Sequence, residues 1–220
     1  MAKPNAFIFD LNGTMINDME YHLTAWFDLL NNELGAGLSR EVVKGHMYGK
    51  NEELLDRIFG KGHFTKERVE QLSMLKEKRY QQTFRPHLQL IAGLPAFLQR
   101  AERNHIKMAI GSAAITFNID FVLDNLGIRH YFKSIVSADD VTISKPHPET
   151  FLKGATQLGE TPASCVVFED APKGVEAALN AGMKCVVLTT MHTAGEFKDF
   201  PNIISYIADY TDPAVDDLFE

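Results

Sequence analysis

The sequence contains few cysteines and no long hydrophobic run. Only two of its 220 residues are cysteines, Cys165 and Cys185, and each lies in an apolar stretch without a Cys-x-x-Cys pair. This spacing predicts neither a zinc site nor a disulfide framework, so we expect two buried, inert thiols. No apolar stretch approaches the roughly 18 residues that cross a bilayer. The first residues also lack the apolar segment of a secretory signal. We therefore expect a soluble, cytoplasmic protein without a membrane partner.

Positive charge is also scarce. The chain has 22 Lys and Arg against 29 Asp and Glu, a formal net charge of −7. Nucleic-acid binding depends on clustered basic residues that displace counterions, so we expect no nucleic-acid partner. Any anion must instead be bound at a locally built site. A chain of 220 residues is long enough for one domain with a smaller insert, each with its own hydrophobic interior.

One apolar segment near the N-terminus ends abruptly in polar residues. The chain runs Phe-Ile-Phe-Asp-Leu-Asn-Gly-Thr over residues 7–14. A short hydrophobic run bounded by turn residues predicts a strand buried on both faces, and ligands of α/β proteins collect at the carboxyl ends of such strands. Asp10 lies at that end. The alternative interpretation of Asp10, taken alone, is a turn former or the N-cap of the next helix.

Hydrophobic periodicity divides the rest of the chain into two parts. Apolar residues recur at helical spacing over residues 18–34, 51–59 and 65–83, with a capped helix after Ser39. No strand pattern occurs in that part. From residue 93 onwards, short apolar runs alternate with helical patterns, which predicts a parallel sheet wrapped by helices on both faces. The tail is expected to form one short helix.

Three later strand ends also carry polar groups. One predicted strand ends at Gly111 and Ser112, whose hydroxyl suits a phosphate, although Gly-Ser is also common in turns. Lys145 lies in a loop stiffened by two prolines and can neutralise a phosphate; the alternative is a solvated surface lysine. Glu169 and Asp170 end another strand, where adjacent buried acids are costly unless they hold a cation. A hard metal ion fits this pair.

Together these motifs resemble those of the haloacid dehalogenase superfamily. The pattern Asp-x-(Asp or Asn)-Gly-Thr over residues 10–14 is followed, in the superfamily's order, by the Gly-Ser strand end and by Ser-Lys-Pro-x-Pro over residues 144–148. The last motif is Phe-Glu-Asp-x-x-x-Gly-x-x-Ala-Ala over residues 168–178. These two later motifs are similar to those of β-phosphoglucomutase and its phosphatase relatives. The resemblance spans nearly the whole chain.

The resemblance implies a fold and an activity. An α/β core, a Rossmann-like parallel sheet, would cover residues 1–15 and 86–220, and an inserted α-helical cap domain would cover residues 16–85. The enzyme would be a Mg²⁺-dependent phosphatase or a β-phosphoglucomutase-like phosphotransferase acting on a small phosphorylated metabolite, such as a sugar phosphate. A phosphatase passes the phosphoryl group to water, whereas the mutase returns it to a bound sugar. We expect a monomer, because a cap of this kind opens and closes.

The same resemblance assigns the catalytic centre. Asp10 would be the nucleophile that takes the phosphoryl group as an aspartyl-phosphate. Asp10, Asp170 and the backbone carbonyl of Asn12 would bind Mg²⁺, with Glu169 as a further acid behind them. The residues implied to contact the phosphate are Ser112, Ala113, Thr14 and Lys145.

The cap carries candidate substrate residues. The motif Glu-Tyr-His-x-x-Ala-Trp over residues 20–26 resembles the first cap helix of the branch, where the histidine, here His22, meets the active site; the alternative is a histidine satisfied within its own helix. Loop 46–52 lacks the arginine that sugar-phosphate mutases use as a substrate clamp. Lys50 or Lys76 would substitute for it, although the run Lys-Glu-Lys-Arg over residues 76–79 is more typical of a solvated face.

Asn12 departs from the superfamily's pattern. This position is normally a second Asp, which protonates the leaving oxygen and later activates the acceptor. An amide does neither, and losing a general acid or base typically costs about 10² to 10⁴ in rate. We expect metal and phosphate binding to persist, with turnover slowed or restricted to leaving groups such as pyrophosphate or an acyl phosphate. The alternative is a catalytically degenerate phosphate- and metal-binding protein of the same fold.

Overall fold

The computed structural model describes residues 3–197 and 199–220 of the chain. The chain divides into two compact units. The first, which we call the core unit, comprises Met1–Asn17 and Gln89–Glu220, and the second, the helical unit, is Asp18–Leu88. The cap expected from the sequence, residues 16–85, has bounds within a few residues of this division.

The core unit is built on a six-stranded parallel sheet. Its strand order is β3-β2-β1-β4-β5-β6, so β1 lies in the interior of the sheet with β2 and β4 as its neighbours. This is the α/β, Rossmann-like architecture that the alternating pattern predicts. The strands are β1 (Ala6–Phe9), β2 (Lys107–Gly111), β3 (Ser134–Val136), β4 (Cys165–Glu169), β5 (Lys184–Leu188) and β6 (Ile203–Ile207).

The helices are distributed between the two units. The helical unit contains α1 (Met19–Asp28), α2 (Arg40–His46), α3 (Asn51–Phe59) and α4 (Lys66–Phe84), with a π-helical segment Leu29–Glu33 after α1. The core unit contains α5 (Leu94–Arg103), α6 (Thr116–Leu126), α7 (Glu149–Leu158) and α8 (Pro172–Asn180). The tail, expected as one short helix, instead ends in the 3₁₀ segment Pro213–Phe219. Along the described ranges, no helix is both long enough and apolar enough to span a membrane.

The interior strand β1 is fully buried on both faces. Phe7 and Phe9 point to one side, where Phe168 of β4 stacks on Phe9 with ring centroids 4.8 Å apart and meets Phe7 edge-on at 5.3 Å. Ile8 points to the other side and packs in an aliphatic cluster with Phe151. Because successive side chains of a strand alternate between faces, the run Phe-Ile-Phe fills both layers of the core. This packing fixes the position of Asp10, which follows β1 directly.

The helical unit has a separate hydrophobic core, to which Leu23, Trp26, Leu54 and Leu72 contribute from three helices. Two of its helices begin at side-chain caps, since Ser39 accepts the N–H of Val42 and Thr65 accepts the N–H of Arg68, both at 3.3 Å. Each cap pairs a backbone group that the first helical turn leaves unpaired.

Both cysteines lie in the core unit and are buried and unbridged, which confirms the prediction from their apolar surroundings. Burial raises the pKa of the Cys165 thiol to about 11 and that of the Cys185 thiol well above its ordinary value. Both therefore remain protonated thiols near neutral pH.

Candidate active site

The polar residues singled out in the sequence follow neighbouring strands. Asp10 follows β1, Ser112 follows β2, and Glu169 and Asp170 lie at the end of β4. Because β2, β1 and β4 are adjacent and parallel, their carboxyl ends share one edge of the sheet. The structure thus brings three of the predicted strand ends together within the core unit.

Three carboxylates form a buried cluster at this edge. Asp10, Glu169 and Asp170 each offer an oxygen atom, and these oxygens all lie within 4.8 Å of one another. The three residues are 7%, 2% and 4% exposed, respectively. Buried acids this close repel one another unless a cation or a proton lies between them. Oxygen donors of this kind are the ligands that Mg²⁺ takes in proteins, so the residues fit a hard divalent cation.

Lys145 supplies one positive charge to the cluster. Its Nζ donates to Asp10 Oδ1 at 2.7 Å and to Glu169 Oε1 at 2.8 Å. Burial by itself would lower the pKa of Lys145, but the two carboxylates outweigh burial and raise that pKa. The ammonium is therefore a permanent charge. Three carboxylates and one ammonium carry a net charge of two negative units, which one divalent cation would balance.

Glu169 is held in place from the other side. Its Oε2 accepts the backbone N–H groups of Asp170 and Ala171, both at 2.9 Å. Gly174, in the first turn of α8, lies directly over the carboxylate: a Cβ on Gly174 would come within 1.7 Å of Glu169 Oε1. Glycine at this position of the motif is therefore required by the close approach of the helix to the acid.

The loop after β1 is fixed by contacts from distant parts of the core unit. Gly13 adopts φ +73°, and a Cβ there would lie 2.0 Å from Asp170 Oδ2, so only glycine fits. Thr14 Oγ1 lies 3.5 Å from Asp170 Oδ1. The carbonyl of Gly13 accepts the hydroxyl of Thr190 at 2.6 Å, and the carbonyl of Thr14 accepts the hydroxyl of Tyr210 at 3.2 Å.

Sequence analysis missed Thr190 and Tyr210. Thr190 follows β5 closely, so the rule that functional groups collect at strand ends could have found it. Tyr210 lies beyond the last strand, and nothing in the sequence around it indicates a contact with residue 14. Its hydroxyl is buried beside the cluster, and burial, together with the charges of Asp10 and Asp170, raises its pKa well above the ordinary value.

Asn12 and Ser112 lie in the loops on this edge. Asn12 is half-buried and forms an isolated β-bridge with Ile16 as the loop folds back. The Ser112 backbone N–H donates to the carbonyl of Val136 at 2.9 Å, while its hydroxyl oxygen accepts the N–H of Ala114 at 3.1 Å. Ala113, the next residue, is half-buried. Phosphate binding by Ser112, Ala113 and Thr14 stays a prediction.

The helical unit contains a second buried polar cluster. The Nζ of Lys76 lies 2.6 Å from Nδ1 of His22 and 3.0 Å from Oε2 of Glu77. The Nε2 of His22 lies 3.3 Å from Asp18 Oδ2, which also accepts the Tyr80 hydroxyl at 2.5 Å. The imidazole of His22 and the ring of Tyr80 are stacked, with centroids 3.7 Å apart.

The interpretation of residues 76–79 as a solvated face is wrong for its first two members. Lys76 is 2% exposed and Glu77 is 3% exposed. They turn inward because α4 presents them to His22 and to Asn51, whose amide donates to Glu77 Oε1 at 2.7 Å. Burial lowers the pKa of Lys76 in spite of the Glu77 carboxylate beside it. Lys50 is half-buried at the N-terminus of α3, where its backbone N–H donates to the Glu53 carboxylate at 2.9 Å.

Comparison with known proteins identifies the family. The haloacid dehalogenase-like hydrolase family matches residues 7–188. The fructose-1-phosphate phosphatase YqaB of Escherichia coli is 32% identical, over 81% of this chain and 93% of its own length. The β-phosphoglucomutase of Bacillus subtilis is also 32% identical, over 82% of this chain and 81% of its own length.

A solved structure agrees with this result at the level of the fold. A haloacid dehalogenase hydrolase of family IA, variant 3, from Entamoeba histolytica superposes with a TM-score of 0.87 at 23% identity, covering 98% of this chain and 97% of its own. The chain belongs to the haloacid dehalogenase-like hydrolases and is an enzyme of the branch that contains phosphatases and β-phosphoglucomutases.

Proposed function

We propose that this enzyme transfers the phosphoryl group of a small phosphorylated metabolite to water in a Mg²⁺-dependent reaction with Asp10 as the nucleophile. The observation that carries this proposal is the buried cluster of Asp10, Glu169 and Asp170, with the Lys145 ammonium bonded to the first two. The family match, together with relatives named as a phosphatase and a phosphoglucomutase, supports phosphoryl transfer as the reaction class.

Each residue has a distinct role in the proposed reaction. The Asp10 carboxylate attacks phosphorus as the bond to the leaving group breaks, and water then releases the phosphoryl group from Asp10 as inorganic phosphate. Lys145 keeps its charge beside Asp10 and attracts the phosphoryl oxygens. The Ser112 hydroxyl already accepts the Ala114 N–H, so its own proton is the one donated to a phosphate oxygen.

The metal site of the proposal uses the same cluster. Asp10, Asp170 and the Asn12 carbonyl would hold Mg²⁺, while Glu169 stays bonded to Lys145 and to two backbone N–H groups. When bound, Mg²⁺ would neutralise charge on the transferring phosphoryl group. Gly13 and Thr14 would keep the loop and Asp170 at the spacing that this shared site needs.

A β-phosphoglucomutase-like transfer is the second candidate. It uses the same nucleophile but returns the phosphoryl group to a hydroxyl of a bound sugar, and similarity to the Bacillus subtilis β-phosphoglucomutase favours it. Substrate selection would fall to the helical unit, as in a cap, with His22, Lys50 and Lys76 as candidate contacts. The reaction product separates the two candidates: a phosphatase releases inorganic phosphate, whereas a mutase forms a phosphorylated sugar.

The test combines phosphate release with intact-protein mass spectrometry after mixing with acetyl phosphate and Mg²⁺. We expect phosphate release that stops on adding EDTA, together with a phosphoryl adduct. In Asp10→Ala, the adduct should disappear and release should fall by at least about 10³-fold. The control is Asp124→Ala, which removes an exposed carboxylate paired with Arg129 and should change neither. Adduct formation that persists in Asp10→Ala would overturn the assignment of the nucleophile.

A further inference from the structure

The side chains around Asp10 are poorly suited to protonate a leaving group. Asn12 ends in an amide, which has no acidic proton near neutral pH. The Lys145 ammonium is bonded to two carboxylates, at 2.7 and 2.8 Å. Thr14 and Ser112 carry hydroxyls, which are not acids in this range. Ester cleavage, however, needs a proton on the departing alkoxide, because an alkoxide is a poor leaving group in water.

His147 and His192 lie in loops of the core unit, close in the sequence to Lys145 and Thr190, and each is engaged by a glutamate of its own segment. The Nδ1 of His192 lies 2.8 Å from Glu196 Oε2. The Nδ1 of His147 lies 3.3 Å from the backbone N of Glu149, which it can accept as a hydrogen bond, and 4.0 Å from the Glu149 carboxylate. These contacts hold both imidazoles within their own loops.

The ionisable side chains buried in the helical unit are also bonded to one another. The two nitrogens of the His22 ring face Lys76 Nζ at 2.6 Å and Asp18 Oδ2 at 3.3 Å. The Nζ of Lys76 also donates to both carboxylate oxygens of Glu77. These hydrogen bonds are made within the helical unit itself.

We propose that the substrate is a phosphoric anhydride, either an acyl phosphate or a pyrophosphate, and not a phosphate ester of an alcohol. This inference rests on the proposed function and narrows it to leaving groups that depart as stable anions. The Asp10 oxygen forms a bond to phosphorus as the anhydride P–O bond breaks, and the leaving carboxylate or phosphate takes the electron pair without a proton. Water then attacks phosphorus, the P–O bond to Asp10 breaks, Asp10 returns to a carboxylate, and both hydrogens of the water leave with the phosphate as dihydrogen phosphate.

The chemistry of the intermediate favours this class. An aspartyl-phosphate is itself an acyl phosphate, so transfer from an acyl phosphate exchanges one carboxylate for another at similar free energy. The second step again expels a carboxylate, which needs no acid. Phosphoryl transfer through a loose transition state also demands little deprotonation of the attacking water. Both steps can therefore proceed at a site whose residue 12 is an amide.

The experiment compares four substrates in the wild-type protein and in Asn12→Asp, with saturating Mg²⁺. Acetyl phosphate and pyrophosphate are the two anhydrides, 4-nitrophenyl phosphate is an ester with an acidic leaving group, and glycerol 2-phosphate is an ester of an alcohol. For the wild type we expect kcat/KM for at least one anhydride to exceed that for glycerol 2-phosphate by at least about 10²-fold, and Asn12→Asp should narrow this ratio by about 10²-fold. The anhydride that is hydrolysed faster shows whether the substrate is an acyl phosphate or a pyrophosphate.

Two results would overturn the inference, and they differ in what they imply. If the wild type hydrolyses glycerol 2-phosphate as fast as both anhydrides, the anhydride preference fails while the phosphatase assignment stands. If neither protein acts on any of the four substrates or forms an adduct, the proposed function fails and the inference with it. Each variant is first checked for a wild-type circular dichroism spectrum, so that misfolding is not mistaken for inactivity.

Substitutions at the two histidines test whether either supplies the missing proton. His147→Gln and His192→Gln should leave the ratio between anhydride and alkyl ester unchanged within about twofold, because a general acid contributes about 10² or more where it acts. If the ratio rises tenfold or more in one of them, that histidine is an acid for ester substrates, and the anhydride assignment is wrong.

Discussion

The two units of the molecule each bury a lysine against carboxylates, with opposite electrostatic outcomes. Lys145 in the core unit is 8% exposed and contacts two carboxylates, and its pKa is raised. Lys76 in the helical unit is 2% exposed and contacts one carboxylate, that of Glu77, and its pKa is lowered. Burial opposes the charge at both sites. At Lys145 the two bonded carboxylates outweigh burial, whereas at Lys76 burial outweighs the charges of Glu77 and Asp18.

The difference separates two uses of a buried lysine. Lys145 carries a fixed charge at every physiological pH, which suits a group that balances carboxylates and then attracts phosphoryl oxygens. Lys76 gives up its proton more readily, so it is better described as a polar member of a hydrogen-bonded cluster. Its predicted contact with a substrate phosphate depends on its staying protonated.

Replacing Lys145 by Met should give the largest effect. Without the ammonium, Asp10 and Glu169 face each other with no cation, which costs about 3–5 kcal/mol of unfolding free energy. Phosphoryl transfer should also fall by at least about 10²-fold, because the charge beside the nucleophile is gone. Urea unfolding monitored by circular dichroism should show a smaller loss in Mg²⁺ than in EDTA, since Mg²⁺ supplies positive charge. Equal stability of variant and wild type in EDTA would contradict this account.

Glu169→Gln leaves Lys145 bonded to the carboxylate of Asp10, as Lys76 is bonded to that of Glu77. The amide oxygen can still accept the N–H groups of Asp170 and Ala171, but the amide N–H groups would then face the Lys145 ammonium. We expect a loss of about 1–3 kcal/mol in unfolding free energy, measured by urea unfolding in EDTA.

The matched control is Glu149→Gln. Glu149 also accepts two backbone N–H groups, at 3.0 Å each, but it lies near the surface, where Lys153 and His147 act on it only as nearby charges. Its substitution should cost less than that of Glu169. Similar losses in both variants would show that the backbone contacts, and not the ammonium, determine the effect.

Lys76→Met should cost less stability than Lys145→Met. Methionine keeps the packing against Trp26 and Tyr80, whose ring centroids lie 5.2 and 5.8 Å from Lys76 Nζ. Glu77 keeps the Asn51 amide as a donor. We expect a smaller loss than that of Lys145→Met, about 1–3 kcal/mol, because burial offsets part of the attraction between Lys76 and Glu77. Trp26, the one tryptophan in the chain, reports unfolding of the helical unit by fluorescence. A loss as large as that of Lys145→Met would remove the contrast between the two lysines.

The pH dependence of stability should show the same contrast with the smallest signal. The pKa of Lys76 lies below its ordinary value of 10.5, so between the two values the unfolded chain binds more protons than the folded one. Unfolding free energy must therefore rise with pH in that window. The difference between wild type and Lys76→Met, followed by Trp26 fluorescence, should shift in favour of the wild type as pH approaches 10.5. A shift in the opposite direction would show that Glu77 outweighs burial.

The α/β fold could be predicted because local patterns determine it. Alternating apolar runs and helical segments specify a parallel sheet, and the structure confirms one with β1 in its interior. The position of Asp10, Glu169 and Asp170 at one edge follows from the same logic, since parallel neighbouring strands end together. The roles of these residues in binding metal and phosphate stay predictions.

The burial of Lys76 and the contacts of Tyr210 could not be predicted. Lys76 belongs to a run of charged residues on a helix, and its partner His22 is 54 positions away in the chain. Tyr210 reaches the Thr14 carbonyl across 196 positions. Hydrophobic periodicity describes which face of an element is buried, but pairings between buried polar groups depend on how distant segments pack.

Gly13 makes Asn12 prone to deamidation. Only glycine fits at this position, so Asn12 is followed by the residue that leaves its amide most open to attack by the next backbone nitrogen. That reaction expels ammonia and forms a succinimide, which water then opens to aspartate or isoaspartate. In the folded chain the Gly13 N–H is donated to the Ile16 carbonyl at 2.8 Å, which opposes ring closure. The unfolded chain has no such restraint. Each time the chain unfolds, deamidation can therefore convert Asn12 to an acid in some molecules. The rate of ester hydrolysis by a sample should then rise with the time that its molecules have spent unfolded.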